Sequence, residues 1–439
     1  MFSLAQNYVT RGFWGDEAWT SLISQLPYKQ MLKTTAADFH PPGYYSIVEL
    51  VYKFLPPTEI ATRSISIIFY LLTIFMVYKL ASYVRGHLFG VLTAAVVATN
   101  PIFFTYAFEA RNYTMFAFAA TGSIFFLLEL SKKFTALRAL GFLIFTTLGI
   151  YTHYYMFFVL GAQGLYLLLF DRKIFLKMMG LYIICAILYL PWLPFLFGQL
   201  KSVAGNYWIG GIDRHTHYEA LLRILGGEQK NMVRPWLFGL SIGLLIIGLV
   251  QHIWRHKFEK PYLLVWLWAV VPFILATLPG LHIGGAKLPF RPIFFWRYLI
   301  GSSVPLAMVM VHAAQKFPKY LMWGAVGLLI ILSLAADYFT LASYPYGFKQ
   351  VYANDVMPKI KPSDKIVTVL PSFAEVLYYR NRNHLSNDLI VLPEGLVQFS
   401  GKSLLDAYVA SGVTRIEETP AGRYFDLEPG PSINIKENF

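Results

Sequence analysis

Residues 14–45 read WGDEAWTSLISQLPYKQMLKTTAADFHPPGYY, a polar stretch with adjacent carboxylates at Asp16 and Glu17, another at Asp38, and His40 before two prolines. From there to about residue 341 the chain is a succession of apolar segments. Ionisable groups beside a membrane are costly unless they are paired or functional. A short acidic loop ahead of apolar segments therefore indicates a reaction centre at a bilayer surface.

Composition narrows the class of protein. Of 439 residues 56% are hydrophobic and 14% are charged, and the mean hydropathy is +0.50. Soluble domains carry roughly 25% charged residues, so the chain is predicted to be an integral membrane protein. Basic cytoplasmic loops explain the net charge of +13, and we expect no nucleic-acid partner. The single cysteine, Cys185, excludes an intrachain disulfide, so helix packing must stabilise the fold.

The apolar segments predict an α-helical polytopic bundle of about ten membrane spans. The first thirteen residues are too few and too polar to cross a bilayer. Two amphipathic stretches at 17–33 and 43–55 predict helices that lie along the membrane interface. The predicted spans are 61–84, 88–106, 113–130, 139–152, 156–170, 176–197, 234–253, 262–278, 298–312 and 320–341.

Loop charge predicts the orientation of the bundle. Every second loop is basic, as expected for the cytoplasmic side of a plasma membrane, here a bacterial inner membrane. The acidic loop 14–45 and the C-terminal residues then lie outside the cytoplasm. An even number of spans would also put Met1 outside, so we expect the natural gene to encode a further span before Met1, or the start to be misassigned. The basic residues are Lys79, Arg85, Lys132, Lys133, Arg138, Arg172, Lys173, Lys177, Arg255, Lys257, Lys260, Lys316 and Lys319.

The character of the chain changes near residue 344. Strand-length apolar runs alternate with helix-like stretches, a pattern typical of a small α/β domain. We therefore divide the chain into a membrane domain, 1–343, and an extracytoplasmic α/β domain, 344–439, which serves as a lid or acceptor platform. Predicted strands cover 365–370, 388–393, 413–418 and 423–428, and predicted helices cover 373–382 and 402–412, the second ending at Gly412.

Charged residues also lie at the outer ends of the predicted spans. In FEARNYTMF, Glu109 and Arg111 fall where a span meets the outer surface, followed by Tyr113. A functional role and a simple ion pair at the interface are equally good interpretations. His153 lies at the end of another span, where a hydrogen-bonded histidine of the aromatic belt is the common alternative to a ligand-binding one.

Three cations in KLPFRPIFFWRYL, Lys287, Arg291 and Arg297, lie on the predicted outer face. Their position runs against the usual charge bias and indicates an anionic partner. Lipid headgroups are one such partner. A sugar phosphate is another, because arginine binds phosphate through charge-assisted, bidentate hydrogen bonds.

Five short motifs in this order resemble a known family: WGDEAW, HPPGYY, NPIFFTYAFEARNYTMF, GIYTHYYMFF and FFWRYLIGSSVP. The chain resembles bacterial membrane glycosyltransferases of GT-C type related to the protein O-mannosyltransferases. Within these, it is most similar to the branch that includes the lipopolysaccharide-core galacturonosyltransferases. The resemblance covers roughly residues 10–312, while the C-terminal domain is similar only in type. The usual first span of the family is missing here.

The resemblance implies inverting transfer of a sugar from a polyprenyl-phosphate donor to a hydroxyl acceptor outside the cytoplasm. It implies that Asp16 is the general base and that Glu17 shapes the site or holds a divalent metal; no other cofactor is expected. The acceptor, whether glycan, lipid or protein, stays open. The residues expected to line the donor site are His40, Glu109, Arg111, Tyr113, His153, Lys287, Arg291 and Arg297.

Two functions of other classes compete with this hypothesis. A transporter or flippase of lipid-linked glycans would use the same cations to handle phosphate, but it predicts ionisable residues deep within spans and internal repeats. The charges here gather at the outer ends of spans, which favours the enzyme. A binding-only subunit of a polysaccharide assembly would leave the acidic loop without a chemical task.

Overall fold

The computed structural model describes residues 2–205, 209–254, 260–280, 282–283, 286–287, 292–343, 346–394, 402–405 and 421–438. The described chain is mainly helical. It forms two compact units. The first unit combines residues 1–63, 198–208 and 343–439, and the second combines residues 64–197 and 209–342.

The N-terminal part of the first unit is a set of short helices: α1 (Phe2–Thr10), α2 (Gly15–Ser24), α3 (Tyr28–Ala36) and α4 (Gly43–Tyr52). The single amphipathic helix predicted over 17–33 is wrong, because the chain breaks between α2 and α3. Pro27 is the N-cap residue of α3. Proline lacks the N–H that a helix interior needs, and it disfavours helical geometry in the residue before it.

The apolar part of the chain forms long and short helices in sequence order. They are α5 (Glu59–Arg85), α6 (His87–Ala98), α7 (Pro101–Ala107), α8 (Tyr113–Lys132), α9 (Ala136–Thr152), α10 (Met156–Phe170), α11 (Arg172–Tyr189), α12 (Leu193–Gly205), α13 (Thr216–Gly226), α14 (Arg234–Trp254), α15 (Lys260–Thr277), a 3-10 helix (Trp296–Ser302), α16 (Ser303–Ala314) and α17 (Lys319–Ala342).

Within the described residues, five helices are long and apolar enough to cross a membrane, or up to seven if each of two bent pairs is one span. The chain is thus a multi-pass membrane protein, while the number ten remains a prediction. The helices α9 and α10 are apolar but shorter than a straight span. The predicted span 298–312 is divided between a 3-10 helix and α16.

Two predicted spans are bent at prolines. The helices α6 and α7 meet at 65°, and α11 and α12 meet at 79°. At the first bend Asn100 caps α7 by accepting the N–H of Phe103 at 3.1 Å, and Pro101 follows at the first helical position. Pro191 lies at the second bend. Each proline interrupts the helix ladder, so spans 88–106 and 176–197 are pairs of helices.

The C-terminal residues form a mixed sheet with strand order β4-β3-β5-β6. The strand β3 pairs in parallel with β4 and β5, and β5 pairs antiparallel with β6. A separate two-stranded pair, β1 and β2, lies in the second unit. The strands are β1 (His282–Ile283), β2 (Ala286–Lys287), β3 (Lys365–Val369), β4 (Leu389–Leu392), β5 (Gly422–Glu428) and β6 (Ser432–Asn438).

Much of the predicted α/β pattern is confirmed. Strands are present at 365–369, 389–392 and 422–428, and the predicted helix 373–382 is α19 (Phe373–Arg382), which follows α18 (Phe348–Val351). The strand β6 was not predicted. Of the predicted helix 402–412 only α20 (Lys402–Leu405) is described, and Gly412 and the predicted strand 413–418 lie outside the described residues.

Candidate active site

The predicted acidic pair lies at the start of a helix. The helix α2 begins at Gly15, so Asp16 and Glu17 belong to its first turn, where free backbone N–H groups favour negative charge. Trp14 is the N-cap residue, in extended conformation, and its side chain does not cap the helix. Asp16 is partly buried, whereas every residue from Glu17 to Ser24 is buried. The two neighbouring carboxylates therefore have different environments.

Glu17 forms an ion pair with Arg63 of α5, and both side chains are completely inaccessible to solvent. Arg63 Nε donates to Glu17 Oε1 at 2.8 Å, and Nη2 donates to Oε2 at 2.6 Å. This two-pronged geometry occupies both carboxylate oxygens. It supports the predicted role of Glu17 in shaping the site over a role as metal ligand.

Arg63 also holds the chain that leads into α2. Its Nη1 donates to the carbonyls of Val9 and Arg11, each at 2.6 Å, and Nη2 donates to the carbonyl of Gly12 at 3.0 Å. A guanidinium has five N–H donors. The contacts with Glu17 and the three carbonyls account for all of them, so one buried side chain fixes both sides of the turn before Asp16.

The C-terminal part of the same unit contacts this turn through α19. The hydroxyl of Tyr379 accepts the backbone N–H of Phe13 at 2.8 Å and donates to Glu59 Oε1 at 3.0 Å. The buried Glu59 carboxylate also pairs with Arg382 at 2.8 Å and with Lys349 at 3.4 Å. Residues near both ends of the chain therefore share one polar network in the first unit.

Other polar groups of the acidic loop are bonded to helices of the first unit, both within the loop and in α12. The indole of Trp19 donates to Asp38 Oδ2 at 3.2 Å. The amide of Gln199 donates to the carbonyls of Thr35 and His40, at 3.0 and 3.3 Å. His40 and Asp38 are both buried. The predicted site residue His40 thus has a fixed backbone within the first unit.

In the second unit, two of the predicted motifs meet. The amide of Asn112, beside Arg111, donates to the carbonyl of Thr152, beside His153, at 2.7 Å. Ser66 donates to the carbonyl of Arg111 at 3.1 Å. The first bond joins the turn before α8 to the end of α9, and the second ties the same turn to α5. Arg111 is 2% exposed, which is uncommon for arginine, since a buried charge requires compensation.

Aromatic rings enclose His153. Its ring stacks on Phe116 with centroids 5.0 Å apart, and it lies 5.1 Å from the ring of Tyr298 and 6.3 Å from that of Tyr113. Burial, followed by the nearby charge of Arg111, lowers the pKa of His153 to about 3. At neutral pH the imidazole is therefore uncharged and can act as a hydrogen-bonding group rather than as a cation.

Arg297 lies on the 3-10 helix, partly buried, with its guanidinium carbon 4.7 Å from the ring centroid of Phe295. The charges of Arg297, Glu109 and Glu228 all act on the hydroxyl of Tyr106. Arg297 and Glu109 therefore lie in one neighbourhood, and Tyr106 connects it to Tyr113, whose ring centroid is 4.6 Å away.

Sequence reasoning missed Glu228. Its carboxylate accepts the hydroxyl of Tyr106 at 2.6 Å and the indole N–H of Trp296. A lone acidic residue in a polar loop carries no motif, and its one signal was its place in the long loop predicted outside the cytoplasm. Glu228 is thus a second carboxylate, beside Glu109, in a neighbourhood that also holds Arg297 and aromatic rings.

The structure thus places the predicted site residues in two groups. Asp16, Glu17 and His40 belong to the first unit. The second unit brings together the other group, Glu109, Arg111, Tyr113, His153 and Arg297. Lys287 lies in β2, but its side chain is not among the described parts of the chain, and Arg291 lies outside them altogether.

The sequence does not decide whether the protein binds a divalent metal. Among the side chains that the structure describes, no group of three or more His, Cys, Asp and Glu residues is arranged to hold a metal ion. The two carboxyl groups at the start of α2 are neighbours in sequence, but the carboxylate of Glu17 is already paired with Arg63.

Residues 39–196 match the family model of the dolichyl-phosphate-mannose-protein mannosyltransferases. Among curated proteins, none matches this chain by sequence. Crystal structures of ArnT from Cupriavidus metallidurans have a similar fold. The apo form matches with a TM-score of 0.64 at 13% identity, over 95% of this chain and 89% of that chain. The form bound to undecaprenyl phosphate matches with a TM-score of 0.65 at 12% identity, over 96% and 90%.

A more distant similarity extends to an archaeal enzyme. The oligosaccharyltransferase AglB from Archaeoglobus fulgidus, in complex with an inhibitory peptide and a dolichol-phosphate, matches with a TM-score of 0.51 at 12% identity. The match covers 84% of this chain and 60% of AglB. At such low identities the solved structures establish the fold alone. The family model adds a sequence match over residues 39–196 of this chain. The sequence match and the shared fold together support membership of the GT-C superfamily of membrane glycosyltransferases.

Proposed function

We propose that this protein transfers a sugar from a polyprenyl-phosphate donor to a hydroxyl acceptor, with Asp16 as the general base. The observation that carries the proposal is the asymmetric carboxylate pair at the start of α2. Glu17 is buried against Arg63, while Asp16 beside it remains partly accessible. The likeness to ArnT, a protein crystallised with undecaprenyl phosphate, supports the class of donor.

The reaction forms one bond, breaks another and moves one proton. The acceptor oxygen attacks the anomeric carbon, and Asp16 takes the proton that this hydroxyl loses. The bond from the anomeric carbon to the phosphate oxygen breaks on the opposite face, so the configuration inverts. The polyprenyl phosphate departs as an anion and needs no acid, because phosphate is already a good leaving group.

The second unit supplies groups suited to the departing phosphate. Arg111 and Arg297 can stabilise the growing negative charge with charge-assisted hydrogen bonds. The neutral His153 and the hydroxyl of Tyr113 can accept or donate hydrogen bonds to a sugar without adding charge. Glu228, like Glu109, can accept hydrogen bonds from sugar hydroxyls.

The orientation forms part of the proposal. Basic residues occur in every second loop, so the acidic loop and the C-terminal domain lie outside the cytoplasm. In a bacterium this is the outer face of the inner membrane. Donors anchored by a lipid tail would then meet their acceptors at that face, and the lipid tail would occupy the bilayer.

Transport of lipid-linked glycans would require ionisable groups deep in the spans. Among the residues that the structure describes, Asp337 in α17 is a buried carboxylate within a predicted span. It lies five residues before the end of that helix at Ala342, which is only about 7.5 Å along the axis. Such a position is close to a membrane surface, so it favours transport weakly.

The deciding experiment incubates the purified full-length protein with a panel of undecaprenyl-phosphate sugars and envelope glycolipid acceptors. We expect one donor to be consumed with release of undecaprenyl phosphate, and the product linkage to be inverted. The same panel with Asp16→Asn is the matched control. Movement of fluorescent donors between leaflets of proteoliposomes without any consumption would overturn the enzyme proposal in favour of transport.

A further inference from the structure

Glu228 follows the end of α13 on a turn that the neighbouring helix fixes. Gly227 before it has a φ of 91°, a left-handed conformation that favours glycine. A Cβ at Gly227 would lie 2.8 Å from the Cβ of Pro101 on α7, so a larger residue would clash. The amide of Asn100 donates to the carbonyl of Ile224, in the last turn of α13, at 3.1 Å. The turn is therefore held against the start of α7, and Glu228 has a defined position.

One carboxylate oxygen of Glu228 accepts two hydrogen bonds from the protein. Tyr106 on α7 donates its hydroxyl to Oε1 at 2.6 Å, and Trp296 of the 3-10 helix donates its indole N–H to the same oxygen. Tyr106 is 1% exposed, so this donor is held rigidly by its surroundings. Among the described residues, none donates to Oε2. Glu228 is partly exposed, and Oε2 is therefore available to accept a hydrogen bond from a ligand.

The two donors connect Glu228 to residues of the proposed donor site. The ring centroid of Tyr106 lies 4.6 Å from that of Tyr113. The guanidinium carbon of Arg297 lies 5.7 Å from the ring centroid of Trp296. The carboxylate is thus one side chain away from a hydroxyl suited to a sugar and from a cation suited to a phosphate. All of these residues belong to the second unit.

A carboxylate oxygen fixed in this way can distinguish one sugar from another. It accepts a hydrogen bond from a sugar hydroxyl, but it repels the carboxylate of a uronic acid, because two carboxylates have no hydrogen to share. In the proposed mechanism Arg297 is matched by the phosphate of the donor, so it does not offset a further negative charge. The charge of Glu109 also acts on the hydroxyl of Tyr106, and a second carboxylate in this neighbourhood strengthens the exclusion of an acidic sugar.

We propose that Glu228 is a specificity-determining residue, which binds a hydroxyl of the donor sugar through Oε2 and selects uncharged sugars over uronic acids. The inference rests on the proposed function and names the class of sugar that its donor carries. It also departs from the resemblance to the galacturonosyltransferases, because galacturonic acid carries the very carboxylate that Glu228 would repel.

The variant Glu228→Gln separates the structural role of the residue from its role toward the sugar. Glutamine keeps a carbonyl oxygen that can accept from Tyr106 and Trp296, while an NH2 group takes the place of Oε2. Only the open position then changes, from a charged acceptor to an uncharged donor. Glu228→Ala removes both roles and should lower the melting temperature, because Tyr106 and Trp296 lose their acceptor. Gln229→Ala alters the exposed neighbouring residue and is the matched control.

The purified full-length protein is offered undecaprenyl-phosphate sugars in pairs that differ only at C6: glucose and glucuronic acid, galactose and galacturonic acid, mannose and mannuronic acid. We expect wild type and Gln229→Ala to favour the uncharged member of the pair they use by about 10²-fold in kcat/KM, because like charges in contact are strongly excluded. Glu228→Gln should lower kcat/KM for the uncharged donor about tenfold and reduce the preference to about tenfold or less. A preference for a uronic acid in wild type, or an unchanged preference in Glu228→Gln, would overturn the proposal.

Binding without transfer separates this inference from the proposed function. Donors that bind should raise the melting temperature, and in wild type the uncharged sugars should do so more than their uronic acid partners. If they bind with this selectivity but none is consumed, the transfer reaction fails and the role of Glu228 stands. If they are consumed without selectivity, transfer stands and the role of Glu228 fails. A wild type that neither binds nor consumes any of them would overturn both.

Discussion

Arg63 and Glu17 form a buried ion pair in which every oxygen of the carboxylate and every N–H of the guanidinium is used. The pair joins α5, the first long apolar helix, to the turn that carries Asp16. Removing two charges from water costs several kcal/mol per ion unless the geometry compensates. Here the compensation is complete, so the pair specifies the position of the turn.

Replacement of Asp16 by asparagine tests the general base directly. The amide has the same shape but cannot take a proton, so we expect transfer to fall by about 10²- to 10⁴-fold. Donor binding should change little. The control Asp388→Asn alters an exposed aspartate of the C-terminal domain and should transfer sugar normally. Steady-state release of polyprenyl phosphate measures both, and near-normal transfer by the Asp16 variant would exclude it as the base.

Arg63→Met should destabilise the protein by about 3–5 kcal/mol, because it leaves the buried carboxylate of Glu17 without its partner. The double variant Glu17→Gln, Arg63→Met should recover only part of this loss, since the carbonyls of Val9, Arg11 and Gly12 still lack a donor. Equilibrium unfolding in detergent measures both changes.

A matched comparison for that pair is Arg138→Met. Arg138 pairs with Glu129 at 2.8 Å, but its side chain is 26% exposed. Pairs of this kind are worth about 0–1 kcal/mol. If both arginine variants lost the same stability, the buried pair would have no special structural role.

Arg297→Gln tests stabilisation of the departing phosphate. Removing one preorganised donor from a developing anion typically lowers kcat by about 10²- to 10³-fold, and we expect a loss in this range. Arg297→Lys retains the charge but not the planar fork of the guanidinium, so its kcat should lie between those of the wild type and Arg297→Gln. The exposed Arg214→Gln serves as control in the same transfer assay. Equal kcat for all three variants would remove Arg297 from the mechanism.

Stability should depend on pH through Glu375 of α19. Burial, followed by the charge of Asp16, raises its pKa from 4.5 in the unfolded chain to about 8, so between these values the folded state holds a proton that the unfolded state releases. The resulting stabilisation is complete below about pH 4.5 and is lost as the pH rises through about 8. Melting temperatures from pH 5 to 9 should decline more steeply in wild type than in Glu375→Gln. Parallel curves would contradict the raised pKa.

Local patterns in the sequence predicted local structure well. The helix at 373–382 and three strands of the C-terminal sheet followed from alternating hydrophobic and helical periodicity. The missed strand β6 follows a turn at Gly430, whose φ of 87° favours glycine. The proline–glycine sequence there is a turn signal that could have been used.

The prediction failed where distant residues decide the outcome. Glu17 and Arg63 are 46 positions apart, and Arg63 looked like an ordinary charge at the start of a span. Glu375 looked like a common acidic residue in the first turn of a helix. The influence of Asp16 on its pKa depends on how α19 packs against α2, and no periodicity in one segment contains that information. The sequence motifs identified the candidate site residues, but they did not identify the distant residues that hold those site residues in position.

The hydrogen bond between Phe13 and Tyr379 joins positions 366 apart. It can therefore form only late in synthesis of the chain. At synthesis rates of about 5–20 residues per second, Tyr379 follows Phe13 by roughly 20 to 70 s. During that interval the ribosome has released the acidic segment, while the helix that steadies it has not been translated. A nascent chain thus cannot form this bond before Tyr379 emerges, and a product that terminated before Tyr379 would lack it.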